Sequence, residues 1–204
     1  MSHNGSKPDI EDLKEKGDVE GLIKALQYKK ESTEYEDYEV RSDAAEALGD
    51  FEEEKVIKAL IRAFKDVEDV RFYVARDLGK FGKTAVPFLI ETLQDPDENM
   101  RRDAAWMLGN IGDERAIPPL TEALKDKDEE VRFHVARNLG KFEEPAVPFL
   151  LDALEDPDEH VRRYAAWILG VIGDERAVPA LENALNDPSD YVRKGAEQAL
   201  RRFG

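Results

Sequence analysis

Arg41, Arg71, Arg101, Arg132, Arg162 and Arg193 recur at intervals of 30, 30, 31, 30 and 31 residues, each directly after a valine or, once, after Met100. This periodicity constrains the fold more than any other feature. A fixed period of this length means one supersecondary unit repeated, and so small a unit buries its apolar face only against copies of itself. The shared frame is Val-Arg-x-x-Ala-Ala-x-x-Leu-Gly, seen at 100–109 and 161–170. A turn follows, then a second apolar segment such as Ala116-Ile117-Pro118-Pro119-Leu120. An acidic turn such as Asp95-Pro96-Asp97-Glu98 closes the unit.

Each unit reads as two helices. Val161, Ala165, Ile168 and Leu169 fall at i, i+4, i+7 and i+8, one stripe of a 3.6-residue period. Gly109, Gly140 and Gly170 are expected to end the first helix, where positive φ suits glycine. Asp113 and Asp174 suit an N-cap for the second helix. Pro87, Pro118, Pro148 and Pro179 fall in its first turn, where backbone N–H groups have no intrahelical partner. A helix of about 14 residues is marginal alone and gains its stability by stacking.

The extended frame, Val-Arg-x-x-Ala-Ala-x-x-Leu-Gly-x-Ile-Gly-Asp-Glu-Arg-Ala-x-Pro-x-Leu, resembles the short HEAT-like repeat of the phycobilisome-lyase type. The resemblance is close over 40–204 and looser over 9–39. The period is shorter than that of larger HEAT and armadillo units, and differs from those of TPR and ankyrin repeats. The resemblance implies an all-α fold: a right-handed α-solenoid, or superhelix, of about six stacked helical hairpins whose concave face binds partners. It does not imply one activity, because relatives include scaffolds, chromophore-lyase subunits and a metal-dependent hydroxylase.

The expected organisation is a disordered tail over 1–8 and a single repeat domain over 9–204. Within it, 9–39 is a capping helix pair, 40–191 holds five helix-pair repeats and 192–204 is a capping helix. Leu26 and Val40 are 14 residues apart, where Leu124 and Val131 are 7 apart, so the first repeat carries an insertion. That acidic, tyrosine-rich stretch, Tyr28–Glu39, is expected to be a solvated loop; a sharper reading has it fold toward the groove. A second period overlies the first. Val70-Arg71-Phe72 matches Val131-Arg132-Phe133, and Arg102 and Trp106 match Arg163 and Trp167, each at an offset of 61. The array is therefore built of two-repeat modules.

Composition narrows the function. The 204 residues carry 46 acids against 30 bases, a formal charge of −16, and no cysteine. That excludes disulfides and Cys-based metal or nucleophile chemistry. No apolar run is long enough for a membrane span and the N-terminal residues lack a signal-peptide pattern, so a cytoplasmic protein is expected. The histidines are His3, His134 and His160. The hydroxylase relatives hold iron with His-Glu steps, whereas His134 precedes Val135 and His160 precedes Val161. No phosphate loop or nucleophile elbow occurs. The expectation is a non-enzyme without cofactor or metal. The acidic turns lack the glycine and glutamate of a calcium loop and read as helix N-termini. The recurrent arginines, present in every unit, are expected to pair with acids of the inter-repeat turns.

Positions that vary between repeats carry the functional signal. The resemblance places the first helix of each unit on the concave face, with the x positions of the frame outward. Counted there, eight bases face four acids, three of them in the first repeat, so an acidic protein carries a basic groove. The candidate partner-binding residues are Phe72, Tyr73 and Arg76; Arg102 and Trp106; Phe133, His134 and Arg137; and Arg163, Tyr164 and Trp167. Trp, Tyr and Arg dominate binding hot spots. The expected function is a protein-binding scaffold that takes a protein or acidic peptide. An accessory subunit of a lyase-type complex is the alternative. Single-stranded nucleic acid ranks below both, because an isoelectric point near 4.7 repels phosphate polymers.

Overall fold

The computed structural model describes residues 7–29, 34–64 and 68–204, with the side chains of 34–36 and 68–73 outside that description. His3, the tail up to residue 6, residues 30–33 and the side chains of Arg71, Phe72 and Tyr73, for which the sequence sets expectations, therefore lie outside the described residues. All regular structure within them is helical. The chain divides into two compact units, Met1–Phe88 and Leu89–Gly204.

In the first unit, α1 (Ile10–Glu15) and α2 (Val19–Ala25) form a hairpin that packs on α3 (Glu34–Leu48). α4 (Glu54–Ala63) then packs on α5 (Glu68–Phe81), which also lies along α3. The acidic stretch is not a loop throughout: Glu34 onward forms the first turns of α3. Arg41 Nη1 donates to the Tyr28 carbonyl at 3.1 Å.

α6 (Val86–Thr92) spans the boundary, and the second unit repeats the hairpin. Its first helices are α7 (Glu98–Ile111), α9 (Glu129–Leu139), α11 (Glu159–Ile172) and α13 (Asp190–Leu200). Its second helices are α8 (Ile117–Glu122), α10 (Val147–Ala153) and α12 (Val178–Ala184). Each second helix packs on the first helix of the next repeat. The repeated leucines Leu108, Leu139 and Leu169, with Leu120, Leu150 and Leu181, are fully buried. Each contributes about 1.5–3 kcal/mol by leaving water. This is the α-solenoid architecture expected from the frame. Pro118, Pro148 and Pro179 sit in the first turn of α8, α10 and α12, as expected. Asp113 and Asp174 cap the 3-10 turns that lead into α8 and α12, accepting from the N–H of Arg115 at 3.0 Å and of Arg176 at 2.9 Å.

The glycine expectation needs correction. Gly109 and Gly170 lie inside α7 and α11, which end three residues later at Gly112 (φ 67°) and Gly173 (φ 73°). Gly140 does end α9, but in right-handed conformation. The positive-φ position of that repeat falls on Glu143 (φ 53°), a site where a side chain is strained. Gly109 and Gly170 serve helix packing instead. A Cβ on Gly109 would stand 2.7 Å from Cβ of Asn138, and one on Gly170 would stand 2.5 Å from Cβ and 2.6 Å from Cα of Ala199. A Cβ on Gly140 would meet only Ile168, at an ordinary 3.6 Å. So α7 lies tightly on α9 and α11 on α13, while contact between α9 and α11 is sparser. The 61-residue period of the sequence is an alternation of tight and loose packing.

The recurrent arginines follow the same alternation. Arg101 donates from Nε and Nη2 to Asp126 at 2.6 and 2.9 Å, and from Nη1 to the carbonyls of Asp95 and Pro96. Arg162 does the same to Asp187, at 2.7 and 3.1 Å, and to the carbonyls of Asp156 and Pro157. Across the looser seam Arg132 donates only to the Asp126 carbonyl, and its Nε is buried without a partner among the described residues. Lys125 reaches Asp156 there instead, at 3.2 Å. Arg193 pairs within its own helix start, with Asp190. The turn acids also cap helices: Asp97, Asp128 and Asp158 accept from the N–H groups of Asn99, Val131 and His160.

Two predictions follow from this packing. Gly170→Ala forces Ala199 backbone to move and is expected to cost about 1–3 kcal/mol of stability, whereas Gly140→Ala is expected to be neutral or stabilising by up to about 1 kcal/mol. Urea unfolding of the two variants measures the contrast. The second concerns acid. Hydrogen bonds from Arg162 hold the Asp187 carboxyl below its ordinary 3.8. A depressed folded pKa contributes stability above the unfolded value, and that stability is lost as pH falls through the folded one. Asp187→Asn is therefore expected to cost about 2 kcal/mol at pH 7, with the gap to wild type closing below pH 4. Thermal melts across that range read it.

Candidate functional site

The site is built where α9, α11 and α13 of the second unit face one another. A cavity of about 610 Å³ opens there, lined by Phe133, Arg163, Tyr164, Trp167, Tyr191 and Lys194 together with Glu129 and Glu130. Helical spacing explains the set. Phe133 stands two residues after the frame valine Val131, as Arg163 does after Val161 and Lys194 after Val192. Trp167 lies one turn beyond Arg163, on the same face.

Phe133 is 44% exposed, although its ring lies 6.3 Å from that of Trp167 at an interplanar angle of 30°. The two rings meet across the looser seam and form one apolar wall of the cavity. Phe133 also meets the His134 ring edge-on at 5.8 Å. The Arg163 guanidinium lies over the Tyr164 ring at 4.7 Å and over Tyr191 at 5.9 Å. Cation–π contact on two sides orients this group without neutralising it.

A second group of cations adjoins the cleft. His134 is half-buried, and its pKa is pushed below 6.5 first by that burial and then by Arg102, with Arg137 adding to the effect and Glu130 and Asp103 opposing it. Burial, then Arg137, pushes Lys141 down as well. Arg102, Arg137 and Lys141 are thus cations of one neighbourhood, with a neutral His134 among them. Lys141 donates to Asn110 Oδ1 at 2.7 Å, and Arg102 has only a long 3.4 Å contact with Asp103. Among the described residues, Arg137, Arg163 and Lys194 have no carboxylate partner. The contrast is with Arg101, Arg115, Arg162, Arg176 and Arg201, which all pair with acids.

The expected site residues divide accordingly. Phe133, His134, Arg137, Arg163, Tyr164 and Trp167 gather in the second unit, and Arg102 joins them through His134. Trp106 stands on α7, 43% exposed, outside the cavity wall. Tyr164 corrects the outward expectation: it is 6% exposed, because its ring fills the space beneath Arg163. Ser42, also read as outward, is buried. Arg76 belongs to the first unit, where it pairs with Asp77 at 3.1 Å and Glu46 at 3.5 Å. That unit carries its own cavity, of about 570 Å³, lined by Asp9, Glu11, Asp43 and Glu46 beside Lys7 and Lys14. Burial, then Glu39 and Glu46, pushes the Asp43 carboxyl up. Its chemistry is opposite to that of the aromatic cleft.

Tyr191, 63% exposed, is the wall residue that sequence reasoning missed. It directly precedes Val192, as Glu130 precedes Val131. The frame began at the valine, one residue too late to include a stripe that continues one turn toward the N-terminus. Among the described residues no three His, Asp or Glu converge as a metal site requires, and no helix is long and apolar enough to cross a membrane.

The family model for HEAT repeats matches residues 66–132 and 118–201, and that for the PBS lyase HEAT-like repeat matches 40–66. No curated protein matches the chain. Among solved structures the chain is similar to human deoxyhypusine hydroxylase in complex with glycerol, at 25% identity over 95% of this chain and 76% of that one, with a TM-score of 0.49. It is similar to the complex of CpcE and CpcF of phycocyanin lyase from Nostoc sp. PCC7120, at 26% identity over 99% and 95%, with a TM-score of 0.39. A designed armadillo repeat protein in complex with peptide (KR)4 is similar at 23% identity over 98% and 87%, with a TM-score of 0.38. At these TM-scores the likenesses carry no argument about activity or partner.

The closeness of the cations is measurable. The His134 imidazole is expected to titrate below 6.5 by NMR, and Arg102→Gln is expected to raise its pKa. An unmoved His134 titration in that variant would separate the two side chains.

Proposed function

The chain belongs to the HEAT-repeat family, and we propose that it is a non-catalytic scaffold that binds a protein or acidic peptide through the aromatic, locally basic face of its second unit. One observation carries the reading. In a chain of net charge −16, Arg163 and Lys194 stand beside an exposed aromatic pair with no carboxylate partner among the described residues, and Arg137 lies one turn from Phe133 in the same state. Acids were available in excess to neutralise them. Unneutralised neighbouring cations repel one another, and a bound anion relieves that repulsion. Exposed aromatic rings beside arginine are the side chains on which interfaces concentrate their energy. Acid-rich surfaces elsewhere disfavour a phosphate polymer.

The test is affinity capture from a lysate of the source organism, with and without nuclease, using wild type and Trp106→Ala/Arg137→Ala/Trp167→Ala of matched helicity. Wild type is expected to retain a protein, insensitive to nuclease, that the triple variant retains about tenfold less or worse. Loss of capture on nuclease treatment would put nucleic acid in its place. Equal capture by both forms would move binding off this face.

A further inference from the structure

The same cleft carries information about the sequence of its occupant. In the second unit the repeat frame sets side chains in rows across the helices. Two residues after the frame's first position stand Arg102 on α7, Phe133 on α9 and Arg163 on α11. One turn further along the same helices stand Trp106, Arg137 and Trp167. Aromatic and cationic side chains therefore alternate in both directions, so the cleft between Phe133 and Trp167 has a cation on each side of it. This is the chemical form of the 61-residue period: arginine then tryptophan on odd repeats, phenylalanine then arginine on the even one between them.

Spacing converts that pattern into a ligand. Neighbouring packed helices lie about 9 Å apart. A chain in polyproline II conformation advances about 3.1 Å per residue with three residues per turn, so residues i and i+3 point the same way about 9 Å apart. Such a segment laid across the helices presents one side chain per repeat. Its middle residue meets the apolar cleft, and those three positions away meet Arg102 or Arg137 on one side and Arg163 or Lys194 on the other.

We propose that the cleft binds an extended peptide segment with one large apolar residue and an acidic residue three positions to either side of it. This rests on the protein-binding reading above and deepens it. The apolar side chain lies against the exposed side of the Phe133–Trp167 pair, where 44% of Phe133 is still in contact with water. The carboxylates complement guanidinium groups that have little or no acid of their own, Arg163 being already held in place by two tyrosine rings. Preformed orientation on both partners lowers the cost of ordering.

The probe is a fluorescein-labelled peptide, Gly-Glu-Pro-Pro-Leu-Pro-Pro-Glu-Gly, whose prolines hold the extended form. Fluorescence anisotropy with the full chain at low salt is expected to show binding. Replacing both Glu by Gln, replacing Leu by Ala, or moving each Glu one position inward is expected to weaken it about tenfold each. Phe133→Ala and Arg163→Gln, both at exposed or half-exposed sites, are expected to reproduce the loss of anchor and of acid respectively. Equal binding of the Gln peptide, or tighter binding of a Lys peptide, overturns the proposal. So does tighter binding of a labelled single-stranded oligonucleotide. If the Glu–Leu peptide does not bind while lysate capture still depends on this face, the segment is wrong and the scaffold reading stands. If that capture is also indifferent to the triple variant, both fall.

Discussion

The arrangement depends on how closely two helices can approach. At Gly170 the Cα of α11 lies where a side-chain carbon would stand 2.6 Å from the Ala199 backbone, and Gly109 meets Asn138 in the same way. Only glycine permits these contacts. They bring α7 onto α9 and α11 onto α13 so that the alanine pairs of the frame, Ala104-Ala105 and Ala165-Ala166, close with no exposed surface. The third seam, between α9 and α11, has no such requirement at Gly140 and stays looser. A stack of nominally equal repeats thereby becomes a stack of pairs. The aromatic cleft occupies the seam where pairing leaves room.

Charge follows geometry. Where helices approach closely, an arginine reaches across to the aspartate of the next turn, as Arg101 does to Asp126 and Arg162 to Asp187, and both side chains are largely withdrawn from water. A charge removed from water needs a partner of good geometry. Burial alone would raise the Asp126 carboxyl, yet the bonds from Arg101, the Asp128 N–H and the nearby positive charges together outweigh it, and the group stays below its ordinary range. Where helices are further apart, Arg132 falls short, and lysine on the surface makes the connection instead. The chain's acids are concentrated in turns and helix starts, where backbone N–H groups and arginines need them. α9, α11 and α13 carry Arg137, Arg163 and Lys194, which have no carboxylate partner among the described residues.

Much of this was legible from periodicity. The helical hairpins, the first-turn prolines, the aspartate caps and the arginine–turn pairing each follow from one residue type recurring where one physical need recurs. What was not legible depended on the third dimension. Gly109 and Gly112 are both glycines of one motif, and only backbone geometry shows that the first serves packing and the second ends the helix. Glu143 stands where Gly112 and Gly173 do, a substitution that a sequence motif tolerates silently and a backbone does not. Tyr164 sits at an outward position by helical phase. It is buried because Arg163, its neighbour, folds over it, a choice between side-chain rotamers rather than a property of the frame. Tyr191 escaped because it lies one residue before the valine at which the motif begins.

The same distinction bears on what kind of surface the second unit offers. Repetition along the chain accounts for residues that every unit shares, and those are buried or paired. Residues that differ between odd and even units answer to something that is not repeated at every unit. Phe133 facing Trp167, with arginines before and after, has a period of two repeats because the packing has that period. A partner matched to it must vary its own chemistry on the same length scale, roughly one side chain per helix. A uniformly charged polymer does not vary in that way, and an uncharged apolar surface does not either. A folded or extended polypeptide does, since successive residues can alternate between apolar and acidic at a spacing its backbone sets.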